Sequence, residues 1–349
     1  MTVTVAHINL AKGLRGGENQ TLAIIEELSR SGFNQTLVCR KNSDLEQQAI
    51  KSKISVIAIS KPFLLNVSKL KAFDLLHVHE GRSVYLALAA HYLLKKPYLI
   101  TRRIINTPSN RWITKQAYKN AAMLISISKA IDEVMGSFSE NQRRAVIPDM
   151  SRDLQYCPNE LNRLKARFPG KFIIGHVGAL DDAVKNQSLI LKAAKQLSGQ
   201  EDILFLLLGS GKDEVLLKNL ASELGLKNIV FEGYKTNIAD YYALFDIFIY
   251  PSKEEGLGSA ILEVFKFKKP VIAANIGGII DILDANGYGL LIDPNDEKNL
   301  ADAIMRLYLS DSLRNHYAEA GFRRRAEFSA SQICNQYMHY YRQILNIHA

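Results

Sequence analysis

Two acids, Glu255 and Glu263, stand eight residues apart in the stretch EEGLGSAILEV, with Gly256, Leu257, Gly258 and Ser259 directly after the first. Gly256 and Gly258 carry no side chain, so the backbone there can approach a ligand closely with its N–H groups turned outward. Ser259 is expected to cap the helix AILEVFKF, whose first turn offers free amides and a partial positive charge. Such a turn favours a phosphate or a hydroxyl-rich ligand. Glu263 would lie one turn into that helix, close to the same pocket. Carboxylates accept hydrogen bonds from neighbouring hydroxyls, as on a ribose or hexose ring. An acid beside Gly-x-Gly and a second acid one turn on therefore suit a phosphate set between two polyols, which is the chemistry of a nucleotide sugar.

Other positions could face the same chemistry. Gly16 and Gly17, in LRGGEN, fall between the first strand and the first helix, where a glycine pair serves either a ligand or an ordinary tight turn. The turn LGSG, from Gly209 to Gly211, follows a strand in the same way, and FEGYK places Tyr234 and Lys235 at the end of another. His77 and His79 alternate along DLLHVHEG, so one is expected to face the core, with His79 at the strand's end as the candidate for ligand contact. Arg102, Arg103, Arg111, Lys115 and Lys119 form a basic stretch beside Trp112.

The elements that must position these residues repeat as strand, turn, helix. VTVAHINLA, NQTLVCR, DLLHVH, PYLITRR, MLISIS and RAVIP read as strands of a first series. KFIIGHVG, ILFLLLG, NIVFEG, DIFIYPS, KPVIAA and GLLID read as strands of a second. Near-continuous apolar strands alternating with helices predict parallel sheets covered on both faces. DMSRDLQYCPNELNRLKARFPG, with two prolines and no strand pattern, is expected to be the linker. The expected division is a first domain over 1–155, joined by a terminal helix over about 330–349, and a second over 156–329. Doubly wound sheets bind ligands at the C-terminal ends of their strands. Glu255, just after DIFIYPS, falls at such an end.

In this order the motifs resemble the signature of retaining glycosyltransferases of the GT-B fold, family 4. Two glutamates separated by seven residues are followed by PV, GG and GxLxxP, here Glu255 and Glu263, Pro270-Val271, Gly277-Gly278 and GYGLLIDP. The spacing selects Glu255 over its neighbour Glu254. The resemblance extends over nearly the whole chain and implies two Rossmann-like domains facing a central cleft. It implies that Glu255 binds hydroxyls of the transferred sugar, Glu263 the ribose, and the amides of Gly256 to Ser259 sugar and phosphate. The first domain would take the acceptor, with Gly16 and Gly17 near the donor phosphate. In the family an Arg and a Lys six residues on hold the diphosphate. GALDDAVKN keeps Lys185, while Ala179 stands at the Arg position. Arg15, Arg102 or Arg103 are the candidates to replace that charge. Where many relatives carry a histidine facing the reacting sugar, LITRRII has Arg103. With His79 and Arg102, it is expected to meet an anionic acceptor.

The whole chain sets the frame. Its 349 residues suit two domains, and 47% apolar against 23% charged residues is ordinary for a globular protein. No Asp-x-Asp triplet occurs, so neither a metal held by such acids nor any other cofactor is expected beyond the donor, with a UDP-sugar favoured over a GDP-sugar. Cys39, Cys157 and Cys334 are expected to be buried thiols. The N-terminus lacks the build of a signal peptide and no apolar run is long enough to span a bilayer, so a cytoplasmic place is expected. Residues 1–150 carry 21 Lys/Arg against 11 Asp/Glu, and residues 151–349 carry 23 against 24. A basic first half suggests an anionic partner. No nucleic-acid module is recognisable, and KPFLLNVSKLKAF mixes bulky apolar residues with lysines, so a peripheral place on the inner membrane and a glycan or lipid-linked acceptor, as in lipopolysaccharide core synthesis, are expected. The rival readings are a non-hydrolysing nucleotide-sugar epimerase and a nucleotide-sugar-binding protein without activity, the latter favoured by Ala179.

Overall fold

A computed structural model describes residues 3–141, 143–284 and 287–347. The chain forms two compact units, one of residues 1–150 and 327–349, the other of residues 151–326.

The first unit is built on seven parallel strands: β1 (Thr4–Asn9), β2 (Asn34–Arg40), β3 (Ser55–Ile59), β4 (Leu75–Val78), β5 (Tyr98–Arg102), β6 (Met123–Ser126) and β7 (Arg144–Val146). Their order, β3-β2-β1-β4-β5-β6-β7, reverses direction between β1 and β4. Strand β3 adds one to the six expected. It is an edge strand with only its last residue buried, although Val56 to Ile59 form an apolar run like those of the inner strands. The segment 61–73 holds a 3-10 helix, Phe63–Leu70, whose buried residues are Val67 and Leu70. The last helix, Ala330–Leu345, packs on this unit. Ile333, Tyr337 and Tyr341 join Val5, Ile24, Leu28, Leu75 and Leu99 in one apolar cluster. Ser329 caps the helix by accepting from the Gln332 N–H.

The second unit has six parallel strands: β8 (Phe172–Val177), β9 (Ile203–Leu208), β10 (Ile229–Gly233), β11 (Ile247–Tyr250), β12 (Val271–Ala274) and β13 (Leu290–Ile292). Their order is β10-β9-β8-β11-β12-β13, with the reversal between β8 and β11. All six match the expected segments. Every residue of β9, β11 and β12 is buried, as a sheet covered on both faces requires. One cover is the helix pair Gln187–Gln196 and Glu297–Tyr308, which brings Leu189, Ile190, Leu300, Ile304 and Leu307 onto Ile174, Phe205 and Ile247. Burying each such side chain contributes about 1.5–3 kcal/mol.

Two expectations change here. The expected linker contains a helix, Pro158–Arg167, with proline at its first turn, where a missing N–H costs nothing. Only Leu164 of that helix is buried, so its apolar period is faint in the sequence. Cys39 and Cys334 are buried, but Cys157 is exposed because it caps this surface helix.

Candidate functional site

The strand-order reversal of the second unit is where a doubly wound sheet opens a crevice at its C-terminal edge. Two of the sequence-predicted residues meet there. Lys185 ends the short helix Asp182–Lys185 that follows β8, and Glu255 lies in the loop after β11. Lys185 Nζ donates to Glu255 Oε2 at 2.5 Å and to Tyr250 Oη at 2.9 Å, and Tyr250 donates to the same carboxylate oxygen at 2.7 Å. Burial disfavours the ammonium, yet Tyr250 and Glu255 more than offset it, and the Lys185 pKa rises. Burial and the adjoining Glu255 raise the Tyr250 phenol too, which keeps it a donor. Glu255 Oε1 has no partner among the described residues. Glu254, the neighbour that the spacing rejects, is exposed.

Backbone contacts hold this arrangement in place. Asn186 is buried in the left-handed region (φ 58°), and its amide donates to the carbonyls of Pro251 at 3.1 Å and Pro294 at 2.7 Å. One side chain thereby ties together the loops after β8, β11 and β13. The Lys253 N–H reaches the Val184 carbonyl at 2.8 Å. The glycines have steric reasons. A Cβ on Gly209 (φ 136°) would meet the Gly178 carbonyl oxygen at 1.9 Å, and one on Gly278 would meet the Gly256 oxygen at 2.2 Å. Gly258, at φ 92°, is itself the N-cap of the helix Ser259–Phe265, and Ser259 is the first helical residue instead of the cap. A left-handed residue was needed to turn the chain there, and only glycine adopts it freely.

Glu263 is buried within that helix. Its Oε1 accepts from Arg152 Nε at 2.6 Å, with Nη2 of the same guanidinium in ion-pair contact at 2.6 Å, and its Oε2 accepts from Tyr242 at 3.0 Å. Burial opposes the Arg152 charge, but Glu263 outweighs it and the guanidinium pKa rises. Tyr234 is exposed and within electrostatic range of Arg152. Leu257 is buried, with Gly256 half-buried. His176, buried beside Gln187, is pushed down to about 4 by burial.

In the first unit, the reversal between β1 and β4 gathers a second polar group. His77 and His79 are both buried. Residues two apart on a strand share a face, so the expectation that only one would turn inward is corrected, and their rings lie 3.8 Å apart. Arg103 Nε donates to Asp149 at 2.9 Å, and Nη1 donates to His79 Nδ1 at 3.2 Å. His79 Nε2 lies 2.8 Å from His7 Nδ1, and His7 Nε2 lies 2.5 Å from Gln35 Oε1. Burial lowers His7 to about 4 and His77 and His79 well below their usual value. Neutral rings then fix one donor order, from Arg103 through His79 and His7 to Gln35. His77 pairs with Tyr341 at 2.6 Å and Thr101 at 2.7 Å. These three histidines have nitrogens close enough to suggest a metal, but every ring nitrogen is already paired and a guanidinium adjoins them. The cluster is a hydrogen-bond network.

Gly17 packs beside Arg103, whose Cδ lies 3.5 Å from the Cβ position. Gly16 is exposed at the start of the helix Gly16–Ser29, where the Arg15 N–H donates to Glu18 at 2.9 Å. Arg102 points to the opposite face of β5, is buried, and donates to the Asn106 carbonyl. Gly17, His79 and Arg103 are therefore gathered, and Arg102 is not. Tyr250, Asn186, Arg152, Tyr242, His7 and Asp149 complete the two groups without a motif of their own. The one cue in the sequence was position at a strand end, as for Tyr250.

Residues 159–324 match the family model described as Glycosyl transferases group 1. The chain is 25% identical over 341 residues to the Escherichia coli UDP-Gal:alpha-D-GlcNAc-diphosphoundecaprenol alpha-1,3-galactosyltransferase, covering 87% of this chain and 88% of that one. It is 30% identical over 151 residues, 43% of each chain, to the lipopolysaccharide core biosynthesis glycosyltransferase LpsD of Rhizobium meliloti. Among solved structures, HepE of Anabaena in complex with UDP superposes with a TM-score of 0.88 at 18% identity, covering 98% of this chain and all of that one. The chain thus has the GT-B fold, and the matched segment and relatives together support a glycosyltransferase.

Proposed function

We propose that the chain is a retaining, family 4 glycosyltransferase that moves a hexose-type sugar from a nucleotide diphosphate sugar, a UDP-sugar in preference to a GDP-sugar, to a glycan or lipid-linked acceptor. The acceptor belongs to a lipopolysaccharide core or another surface polysaccharide, and the enzyme works in the cytoplasm without a metal cofactor. The observation that carries this reading is the Lys185–Glu255–Tyr250 triangle at the strand-order reversal. An ammonium has three donors. Two are engaged by Glu255 and Tyr250, and the third is left for a diphosphate oxygen. Glu255 Oε1 accepts a sugar hydroxyl, and Glu263, held by Arg152 and Tyr242, receives the ribose. The relatives named for UDP-galactose and for lipopolysaccharide core support the donor and acceptor classes, as does the HepE complex with UDP.

Under this reading the departing phosphate takes the acceptor's proton on the face it leaves, and the protein positions groups and stabilises charge. Arg103 meets an anionic group of the acceptor, with its orientation set by Asp149 and His79.

Thermal unfolding with and without UDP tests the donor assignment. A ligand at about 100 times its Kd adds ~2.7 kcal/mol to the native state, so UDP raises the melting temperature of the parent. Glu263→Gln, which keeps the shape but removes the charge and one of the two acceptor oxygens, gives a smaller rise. An equal rise in both removes Glu263 from the ribose. Product analysis with labelled UDP-sugars separates the rivals, since transfer or slow hydrolysis supports the proposal. Isomerised donor, or binding without product, overturns it.

A further inference from the structure

Residues 61–120 carry eleven Lys/Arg against only Asp74 and Glu80, a net charge of +9 that equals the formal net charge of the whole chain. The fold gathers this stretch into one layer of the first unit. The helix Ser83–Leu94 packs against both the 3-10 helix Phe63–Leu70 and the helix Trp112–Lys119. Tyr85 and Thr114 join the latter pair by a hydrogen bond of 3.0 Å. Eight of the eleven cations are exposed. Apart from Lys119, paired with Glu140, none of those eight has an ion-pair partner among the described residues.

The same three elements expose large apolar side chains. Leu65 is 79% exposed, and Leu93 and Trp112 each 72%, with Leu64 beside them. They are surplus to the core, because each element already buries its own inward set, such as Val67 and Leu70, or Ala117 and Tyr118. A single exposed leucine means little. Three leucines and a tryptophan on neighbouring elements, among exposed cations of which only Lys119 has an ion-pair partner among the described residues, are a different composition. Tryptophan prefers the headgroup level of a bilayer, and lysine stems lie along apolar surface while their ammonium groups stay in water.

We propose that this face docks on an anionic phospholipid bilayer, with Leu64, Leu65 and Trp112 entering the headgroup layer and the cations meeting lipid phosphates. The chemistry favours this occupant over the others. A second copy would set like charge against like charge, and a nucleic acid would leave the leucines without a partner. No described helix is long and apolar enough to cross a membrane. The proposal deepens the reading of a lipid-linked acceptor, but its physics does not depend on turnover.

Sedimentation of the full chain with phosphatidylcholine vesicles, with and without phosphatidylglycerol, is the test. Anionic vesicles are expected to bind at least about tenfold more strongly, with the preference lost at high salt. Leu65→Asp with Trp112→Ser, and separately Lys69→Glu with Lys71→Glu, are each expected to reduce binding by about fivefold or more. The UDP-induced melting shift should stay at the parent's value in both variants, which shows that they fold and separates this result from the donor assignment. Equal binding to neutral and anionic vesicles, or variants that bind like the parent, overturn the proposal. So does self-association, or retention of nucleic acid, that the variants abolish without any vesicle binding by the parent.

Discussion

Lys185 is the residue whose placement decides most. Its ammonium is half enclosed, kept charged by Glu255 and Tyr250, and stands at the strand-order reversal. Lys185→Ala removes the cation while Tyr250 still donates to Glu255. Losing one preorganised donor to a developing negative charge costs about 10²–10³ in turnover. The expected outcome is a fall of that order in kcat/KM for the UDP-sugar, with little change in melting temperature. Initial rates check it, and an unchanged kcat/KM removes Lys185 from the diphosphate. Lys185 and Glu255 were legible in the sequence because each sits in a motif with fixed spacing. Their partners were not. Tyr250, five residues before Glu255, reaches Lys185 only because β8 and β11 are neighbours in the sheet, and Arg152 reaches Glu263 from 111 residues away. Such pairings are set by strand order, which a single sequence encodes through every element at once.

At the scale of elements, the second sheet was legible strand by strand because β9, β11 and β12 are buried along their whole length and its strands read as apolar runs. The helix Pro158–Arg167 escaped because it is mostly solvated and shows no strong period, whereas β3, a half-buried edge strand, carries an apolar run from Val56 to Ile59 that was open to reading. The cap of the helix Ser259–Phe265 was misplaced by one residue for a related reason. Serine is the better capping side chain, but the chain needed positive φ at Gly258 to make the turn. The loops carrying the site are close-packed backbone on backbone, which gives Gly278 a sharp test. A methyl group there would fall 2.2 Å from the Gly256 carbonyl oxygen and 2.5 Å from Leu257 Cα, and backbone cannot swing aside as a side chain can. Gly278→Ala is expected to destabilise the chain by about 1–3 kcal/mol, and to weaken UDP binding as the Glu255–Ser259 loop shifts. Thermal unfolding and UDP titration measured together check this. Parent-like values in both would show that the two loops part without cost.

Over the whole molecule, the feature that both units share is buried neutral histidine. His7 in the first unit and His176 in the second are each pushed from 6.5 to about 4 by burial, and His77 and His79 lie well below 6.5. In the unfolded chain these rings take up protons as the pH falls below about 6.5. In the folded units they do not until the pH nears 4. Between those values the unfolded state binds more protons, so stability rises with pH there and is lost on acidification. Above 6.5 both states are neutral and the rings contribute no pH dependence. A shift of two and a half units is worth about 3 kcal/mol per histidine once the pH has passed below the folded value. Because the rings are divided between the units, unfolding of each is expected to move, not that of one alone. Calorimetry from pH 7.5 to 4.5 should show melting temperatures flat above about pH 7 and falling below 6.5, with proton uptake on unfolding near pH 5.5 visible as a dependence on buffer ionisation heat. Melting temperatures unchanged down to pH 5 would mean that the rings titrate while folded, and that water reaches the His7–His79–Arg103 chain.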